Sequence, residues 1–211
     1  MRVMIYYRMM RNNEPDTVNP SLNDKDEIVD LIYSNCMPSR RLYAGKRMVW
    51  SLSKTPEAAL RWKGSRGKGM YDRLAVYEFD GTEGDFFDLT SPQTWISLIH
   101  QSKNRGIVKN LNGAGICEVD AIRCLIPCQR SAMSMAIASD EVAFIPRKKI
   151  TFETIKDGSN IPTNPQNAES VLTDLSYNDE TIELLLEQLE QYDISRKPVV
   201  RDMLLKLKSA M

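Results

Sequence analysis

Ser51 and Ser53 place two hydroxyl groups at the end of a short apolar segment, immediately before the signals that begin a helix. Thr55 suits the N-cap of that helix, Pro56 suits its first position, and Glu57 lies in its first turn. Because side chains alternate along a strand, the two serines are expected to share one face. Two hydroxyls beside a helix N-terminus can accept a ligand that carries phosphate. The same Ser-x-Ser pattern also occurs in ordinary solvated turns.

Arg8 and Glu141 are further candidates, and each lies in a predicted strand. Arg8 interrupts the β-rich run 3–10, where an arginine is either a residue at a sheet edge or a fixed donor inside a cleft. The pattern leaves both alternatives open. Glu141 begins the short apolar run 141–146, which predicts a strand late in the chain.

The four cysteines and the single histidine favour a protein without a metal site. Cys117, Cys124 and Cys128 fall close together, while Cys36 stands apart. Zinc normally takes four ligands, often paired by tight turns. His100 lies in a predicted helix, where we expect it to pack or to face solvent. Buried free thiols, which behave as small hydrophobes, are the favoured interpretation of the cysteines.

Hydrophobic periodicity and turn residues predict strands and helices that position these candidates. The predicted strands cover 3–10, 48–53, 72–80, a short run within 81–90, and 141–146 with 148–155 as a hairpin. The predicted helices cover 24–36, 56–62 and 91–106, and residues 129–140 are ambiguous between helix and loop. Residues 11–23 form a predicted loop. The glycine-rich, basic stretch 63–70 is predicted to be a flexible loop, because it lacks the Lys-Ser/Thr ending of a P-loop.

Length and composition allow one domain of ordinary size with an appendage. The chain has 211 residues, of which 42% are hydrophobic and 27% charged, a mixture that can fill a globular core. Basic and acidic residues both number 28, so no net charge argues for nucleic acid or an acidic membrane. No apolar run approaches the length of a membrane span, and the polar N-terminus is expected to be a strand rather than a signal peptide. We therefore expect a soluble intracellular protein.

The composition changes near the C-terminal end. Residues 158–167 are rich in turn formers and predict a linker. Beyond it, 168–211 carries apolar residues at helical spacing, as in Ile182, Leu185 and Leu189. Two or three such helices cannot bury enough surface alone. We expect them to pack on the main domain or on a partner.

The order of the candidate residues resembles the mono-ADP-ribosyltransferase superfamily, in particular its Arg/Ser-x-Ser/Glu group, which includes many bacterial toxins and effectors. The matching residues are Arg8 in YYRMM, Ser51 and Ser53 in WSLSKTPEAALRW, and Glu141 in SDEVAFIP. The resemblance covers residues 1–157 in element order. It implies an α+β fold, a split mixed β-sandwich with flanking helices that binds NAD between two sheets, here followed by a C-terminal helical extension.

The resemblance also implies a role for each matching residue in a glycosyltransferase that uses NAD as its substrate. Cleavage of the nicotinamide–ribose bond develops oxocarbenium character on the ribose, and Glu141 would be the catalytic carboxylate that stabilises it. Arg8 would bind the NAD diphosphate or the adjoining ribose with its planar fork. Ser51 and Ser53 would hold the ribose and orient Glu141.

Two further features bear on the ligand and the acceptor. An aromatic residue after the Ser-x-Ser strand commonly stacks on nicotinamide in such sites; Trp62 is the candidate, with Tyr71 second, although helical spacing equally suits Trp62 as a core residue. Members that modify arginine usually carry Glu or Gln two residues before the catalytic glutamate. Here Ser139 occupies that place, with Asp140 next to it, which argues against an arginine acceptor.

Other function classes stay open. Simple NAD hydrolysis is a close relative of transfer, and the same fold could serve as a non-catalytic interaction protein through its cleft or its helical tail. A third class is a nucleic-acid binder that uses 61–73, with Trp62 and Tyr71 as stacking groups, although that basic cluster is short. For the leading function we expect a macromolecular acceptor, protein or else nucleic acid, and no membrane partner. The protein would act in the cytoplasm or after delivery into a host cell.

Overall fold

The structure is a computed structural model, and it describes residues 3–11, 13–20, 25–36, 49–62, 71–104, 124–125 and 132–156. Several predictions lie outside these residues: the glycine-rich loop 63–70, the linker 158–167 and the C-terminal helical extension 168–211. The domain boundary expected at residue 157 also lies outside them.

Two antiparallel sheets organise the described residues. The strands are β1 (Met4–Arg11), β2 (Thr17–Val18), β3 (Trp50–Ser53), β4 (Tyr71–Phe79), β5 (Gly84–Asp88), β6 (Glu141–Pro146), β7 (Ile150–Thr151) and β8 (Glu153–Lys156). Six of them form the central sheet in the order β5-β6-β3-β1-β4-β8, and β2 pairs with β7 in a second sheet. The pairings among the described strands are all antiparallel.

The helices of the described residues are α1 (Lys25–Cys36), α2 (Pro56–Leu60), α3 (Pro92–Asn104) and α4 (Ala132–Ala138). In the described ranges no helix is long and apolar enough to cross a membrane. Helices α1, α3 and α4 cover one face of the central sheet, which we call the helix face. Its core joins Ile32, Trp95 and Met133 from the helices to Ala143 and Ile145 from β6.

The opposite face of the central sheet, which we call the aromatic face, carries rings from β3, β4, β5 and β6. These rings are Trp50, Tyr77, Phe79, Phe86 and Phe144. Phe79 and Phe144 meet edge to face, with centroids 4.6 Å apart, a favourable arrangement for aromatic pairs. The second sheet packs on this face through Val18 and Ile150, and Phe152 joins the same core.

Helix α2 begins as its sequence predicts. Thr55 is the N-cap, with extended φ and ψ of −128° and 150°, and its hydroxyl accepts a hydrogen bond from the Ala58 backbone N–H at 3.2 Å. Pro56 opens the helix, where its missing N–H is not needed. The cap therefore fixes the point at which the chain leaves β3, directly after the two serines.

The mixture of helices with a sheet that the α+β class requires is confirmed, whereas the predicted hairpin between 141–146 and 148–155 is wrong. β8 pairs with β4 at the far edge of the central sheet, and β7 pairs with β2. After β6 the chain is turned away by backbone hydrogen bonds, because the Arg147 N–H donates to the Glu83 carbonyl at 2.7 Å and the Phe152 N–H to the Asp16 carbonyl at 2.8 Å. The predicted loop 11–23 accordingly contains a strand, β2.

Gly84 makes a close approach between β5 and β6. A Cβ added there would overlap the Ile145 carbonyl oxygen and the Phe144 ring. We expect Gly84→Ala to lower the free energy of unfolding by about 1–3 kcal/mol, because backbone and a core ring must shift. Urea unfolding followed by circular dichroism measures the change. Ser97→Ala, at an exposed position of α3, should stay within about 0.5 kcal/mol of the parent; equal losses in the two variants would contradict the close approach.

Candidate active site

The pairing of β3 with β6 brings sequence-predicted groups side by side. Ser53 lies opposite Glu141, and Ser51 lies opposite Ala143. Opposed residues in a sheet point to the same face, with Cβ atoms about 4.5–5.5 Å apart. Because Ala143 packs in the core of the helix face, the two serines and Glu141 also lie on that face. Leu52 packs in the aromatic core instead, so the predicted alternation along β3 is observed.

Glu141 is positioned by a tight turn between α4 and β6. Asp140 has a φ of 47°, in the left-handed region that aspartate adopts more readily than most residues. The Lys54 backbone N–H donates to the Asp140 carbonyl at 3.0 Å, and the Leu89 backbone N–H donates to the Glu141 carbonyl at 3.0 Å. The first residue of β6 is therefore held from the end of β3 and from the end of β5.

Ser51 lies between Glu141 and helix α1. Its hydroxyl is near enough to the Glu141 carboxyl group to lower the pKa of that group. Asn35, in the last turn of α1, donates from Nδ2 to Ser51 Oγ at 3.0 Å. This is the geometry that a role for Ser51 in orienting Glu141 requires.

The electrostatics of Glu141 combine opposing effects. Burial raises the pKa of its carboxyl group above the usual value, while the Ser51 hydrogen bond and the charge of Arg8 act in the opposite direction. Burial, together with the nearby Glu141 charge, raises the pKa of the Cys36 thiol well above its usual value. Groups with perturbed pKa values cluster at functional sites, although structural ion-pair networks perturb them as well. The position of Glu141 in the sheet and the opposing effects on its pKa thus both make it a candidate functional residue.

Arg8 lies on the other face of the sheet. β1 pairs with β3 at Tyr7 and Ser53, so that Tyr7 shares the helix face with the serines and Arg8 does not. The guanidinium lies over the Trp50 ring, 4.7 Å from its centroid, and Nη1 donates to the Ser51 backbone carbonyl at 2.7 Å. Arg8 therefore acts on the site through its charge and through the backbone of β3.

Glu14 fixes the guanidinium of Arg8. Nε and Nη2 of Arg8 both donate to Glu14 Oε1, at 3.2 and 2.7 Å. Only 10% of the arginine side chain and 4% of the glutamate side chain are exposed. Both donors reach one carboxylate oxygen, while Oε2 of Glu14 accepts from the Arg11 backbone N–H at 3.3 Å. The predicted contact of Arg8 with the NAD diphosphate would compete with Glu14, and it stays a prediction.

Trp62 lies on the same face of the sheet as the serines. It follows α2 and packs against Met9 and Leu74, which pair across β1 and β4, and Tyr7 joins this cluster. The contacts of its ring are those of a partly buried core residue, and its stacking on nicotinamide stays a prediction. The side chain of Tyr71, the second candidate, lies outside the described side chains.

Lys54 connects the strand ends around the site. Its Nζ lies 2.9 Å from Asp88 Oδ2, 2.8 Å from Thr90 Oγ1 and 3.5 Å from Asp140 Oδ1. Burial favours the neutral amine, but the hydrogen bond and charge of Asp88 and the charge of Asp140 outweigh it and raise the pKa of Lys54. Burial of Asp88 is outweighed in turn by its bonds to Thr90 and Lys54, which lower its pKa. The network holds β3, β5 and the turn before Glu141 together.

Ser139 stands two residues before Glu141, at the position that the resemblance associates with the choice of an arginine acceptor. It is buried, and its hydroxyl donates to the Met135 carbonyl at 2.9 Å. The side chain therefore closes the last turn of α4. This contact directs it into the protein.

The described cysteines are free thiols. Cys124 is buried and Cys36 is partly buried, while Cys117, Cys128 and the side chain of His100 lie outside what the structure describes. Among the described residues, no three His, Cys, Asp or Glu side chains form a group that could hold a metal ion.

Three residues of the site were not singled out from the sequence: Asn35, Lys54 and Glu14. Asn35 stands one turn after Leu31 on the apolar side of α1, and a polar residue at an apolar position is a signal that could have found it. Lys54 directly follows Ser53 and gives no signal beyond its place at a strand end. Glu14 lies in a predicted loop, where no periodicity indicates a partner.

Comparisons of this chain with models of known families, with curated proteins and with solved structures find no match.

The Arg8–Glu14 pair offers a test of how the site is held. Arg8→Met should lower the free energy of unfolding by about 3–5 kcal/mol, because it removes the guanidinium charge from a buried carboxylate. Adding Glu14→Leu should recover most of that loss, since no charge then stays buried. Urea unfolding of the single and double variants measures both. Arg147→Met breaks the more exposed pair with Asp85 and should change stability by less than about 1 kcal/mol. Equal effects of Arg8→Met and Arg147→Met would contradict the buried pair.

Proposed function

We propose that the protein is an NAD-dependent mono-ADP-ribosyltransferase that modifies a macromolecule, with Glu141 as its catalytic carboxylate, on a split β-sandwich of that superfamily's type. The observation that carries the proposal is the position of Ser51 beside Glu141 on one face of the central sheet, where its hydroxyl lowers the pKa of the Glu141 carboxyl group. It joins, across adjacent strands, two of the groups on which the resemblance to that superfamily depends.

The reaction needs one fixed negative charge. As the bond from the ribose anomeric carbon to nicotinamide breaks, its electron pair leaves with neutral nicotinamide and the ribose becomes positively charged. The acceptor then bonds to that carbon and releases a proton to solvent. A carboxylate held beside the ribose stabilises the cation most strongly in the transition state, and therefore accelerates the reaction.

Glu141 must be ionised for this role. Burial favours its protonated form, while the Ser51 hydrogen bond and the Arg8 charge lower its pKa towards the usual value and favour the carboxylate. A partly buried carboxylate also acts in a medium of low dielectric constant, where its attraction for a cation is stronger than in water. The rate of NAD cleavage should therefore rise with pH as Glu141 ionises.

Two of the remaining roles follow from the helix face. Ser53, directly opposite Glu141, would bind a ribose hydroxyl, and Trp62, on the same face of the sheet, would stack on nicotinamide. Arg8 lies on the aromatic face, where Glu14 binds its guanidinium, so binding of the diphosphate would require Arg8 to leave Glu14.

The acceptor is a macromolecule, and the surroundings of Ser139 favour one other than an arginine side chain. Members of that superfamily that modify arginine usually carry Glu or Gln at this position, whereas the Ser139 hydroxyl is bonded within α4. A protein acceptor is the first choice and nucleic acid the second, and the protein would act in the cytoplasm or inside a host cell to which it is delivered.

Labelled NAD tests the proposal. With NAD labelled in nicotinamide, the parent protein should release label, and Glu141→Gln should slow release by at least about 100-fold, as expected for loss of a charge that stabilises a transition state. Glu78→Gln, at an exposed position of β4, is the matched control and should retain the parent rate. With NAD labelled in adenylate, label bound to protein or RNA in a lysate identifies transfer, and free ADP-ribose identifies hydrolysis.

Two other outcomes would contradict the proposed function. Absence of NAD binding by the parent would reject the enzyme and favour the interaction protein on the same fold. Label release that Glu141→Gln leaves unchanged would remove Glu141 from the catalytic role.

Stability as a function of pH gives an independent test of the buried carboxyl. Because the pKa of Glu141 is raised in the folded chain, the folded state binds more protons than the unfolded one between the ordinary pKa and the raised one, and stability falls as the pH rises through that window. Glu141→Gln cannot ionise. The free energy of unfolding of Glu141→Gln, relative to that of the parent, should therefore be higher at about pH 7 than at about pH 4. Urea unfolding at both pH values measures the gain, and a constant difference would show that the carboxyl is not buried as described.

A further inference from the structure

Asn35 stands where the apolar stripe of α1 meets the sheet. Ile28, Leu31 and Ile32 are buried on that stripe, and Asn35 continues it at the spacing of one helix face. An amide in such a position must find a partner for its donors. It finds Ser51, because Nδ2 lies 3.0 Å from Ser51 Oγ.

The hydroxyl of Ser51 has one proton to give. A serine hydroxyl offers a single O–H donor and two lone pairs that accept. Asn35 supplies a donor to one lone pair, so that contact leaves the proton of Ser51 unused. The proton is then available for the Glu141 carboxylate, which accepts hydrogen bonds and has none to donate when it is ionised.

We infer that Asn35 is a positioning residue for Glu141, because its donation to Ser51 Oγ directs the Ser51 hydroxyl proton towards the carboxylate. The catalytic meaning of this relay rests on the proposed function. The relay itself is a property of three side chains on α1, β3 and β6, and it can be measured without NAD.

Other charges around Glu141 set the background of that measurement. Arg8 acts from β1, the Cys36 thiol acts from α1, and Lys54 and Asp140 lie at the turn before β6. None of these groups is altered by a substitution at Asn35. In Asn35→Leu, which adds no charge, a change in the titration of Glu141 is therefore assigned to the relay.

The experiment follows the carboxyl carbon of Glu141 by NMR in full-length protein labelled with ¹³C in glutamate side chains. The signal is assigned by its absence in Glu141→Gln. In Asn35→Asp the new carboxylate accepts the Ser51 proton and adds a negative charge, so the titration midpoint of Glu141 should rise by about one pH unit or more, as expected for a lost hydrogen bond to a charged group. Asn13→Asp adds the same charge at an exposed turn and should leave the midpoint unchanged.

Asn35→Leu removes the donor without adding charge and suits the apolar stripe, and it provides the test if Asn35→Asp does not fold. Its midpoint should also rise, by less than that of Asn35→Asp. The rise should vanish in a Ser51→Ala background, because residues that act in series are not additive. Asn35 variants that titrate like the parent, or a rise that persists without the Ser51 hydroxyl, would overturn the inference.

Activity separates this inference from the proposed function. Midpoints that shift as expected in a protein that does not cleave NAD would support the relay and reject the enzyme. NAD cleavage by a protein whose Glu141 midpoint does not shift in the Asn35 variants would support the enzyme and reject the relay.

Discussion

The register of β3 against β6 is the constraint on which the candidate site depends. Trp50 and Leu52 are only 4% and 1% exposed in the aromatic core, and a slip of one residue would turn both towards the helix face. Burying side chains of that size contributes about 1.5–3 kcal/mol each, whereas a serine hydrogen bond contributes about 1 kcal/mol. Packing on the aromatic face therefore fixes the register of β3 against β6. That register in turn sets where the serine hydroxyls and Glu141 lie on the helix face.

That division explains what the sequence could and could not predict. Alternation is local, so the faces of Ser51 and Leu52, the start of β6 at Glu141 and the cap of α2 followed from neighbouring residues. Pairing is not local. β7 joins β2, a partner more than a hundred residues away in the chain, because Ile150 can be buried there in the aromatic core. The predicted hairpin was based only on the short distance in sequence between 141–146 and 148–155. That distance does not determine which strand of a sheet offers apolar surface for the second segment to cover.

The environment of the Arg8 side chain could likewise not be predicted from local sequence patterns. Its strand was predictable, and both alternatives for its environment, an edge or a cleft, were consistent with the pattern. Its face followed from the pairing of Tyr7 with Ser53, and its partner Glu14 came from a loop without periodicity. Asn35 differs from both, since a helical pattern points it at the sheet even though no pattern names Ser51 as its acceptor.

The buried Glu14 and the partly buried Glu141, on opposite faces of the central sheet, have different partners, and the contrast bears on function. Glu14 receives two hydrogen bonds from Arg8, whereas among the described residues no cation lies within ion-pair distance of Glu141. Glu14 holds the guanidinium on the aromatic face, so that Arg8 lowers the pKa of Glu141 by its charge without occupying the carboxylate. A carboxylate arranged for stability alone would be paired or replaced by an uncharged residue. One that is kept ionisable, oriented and without a direct counter-ion retains its attraction for a positive charge that arrives with a ligand.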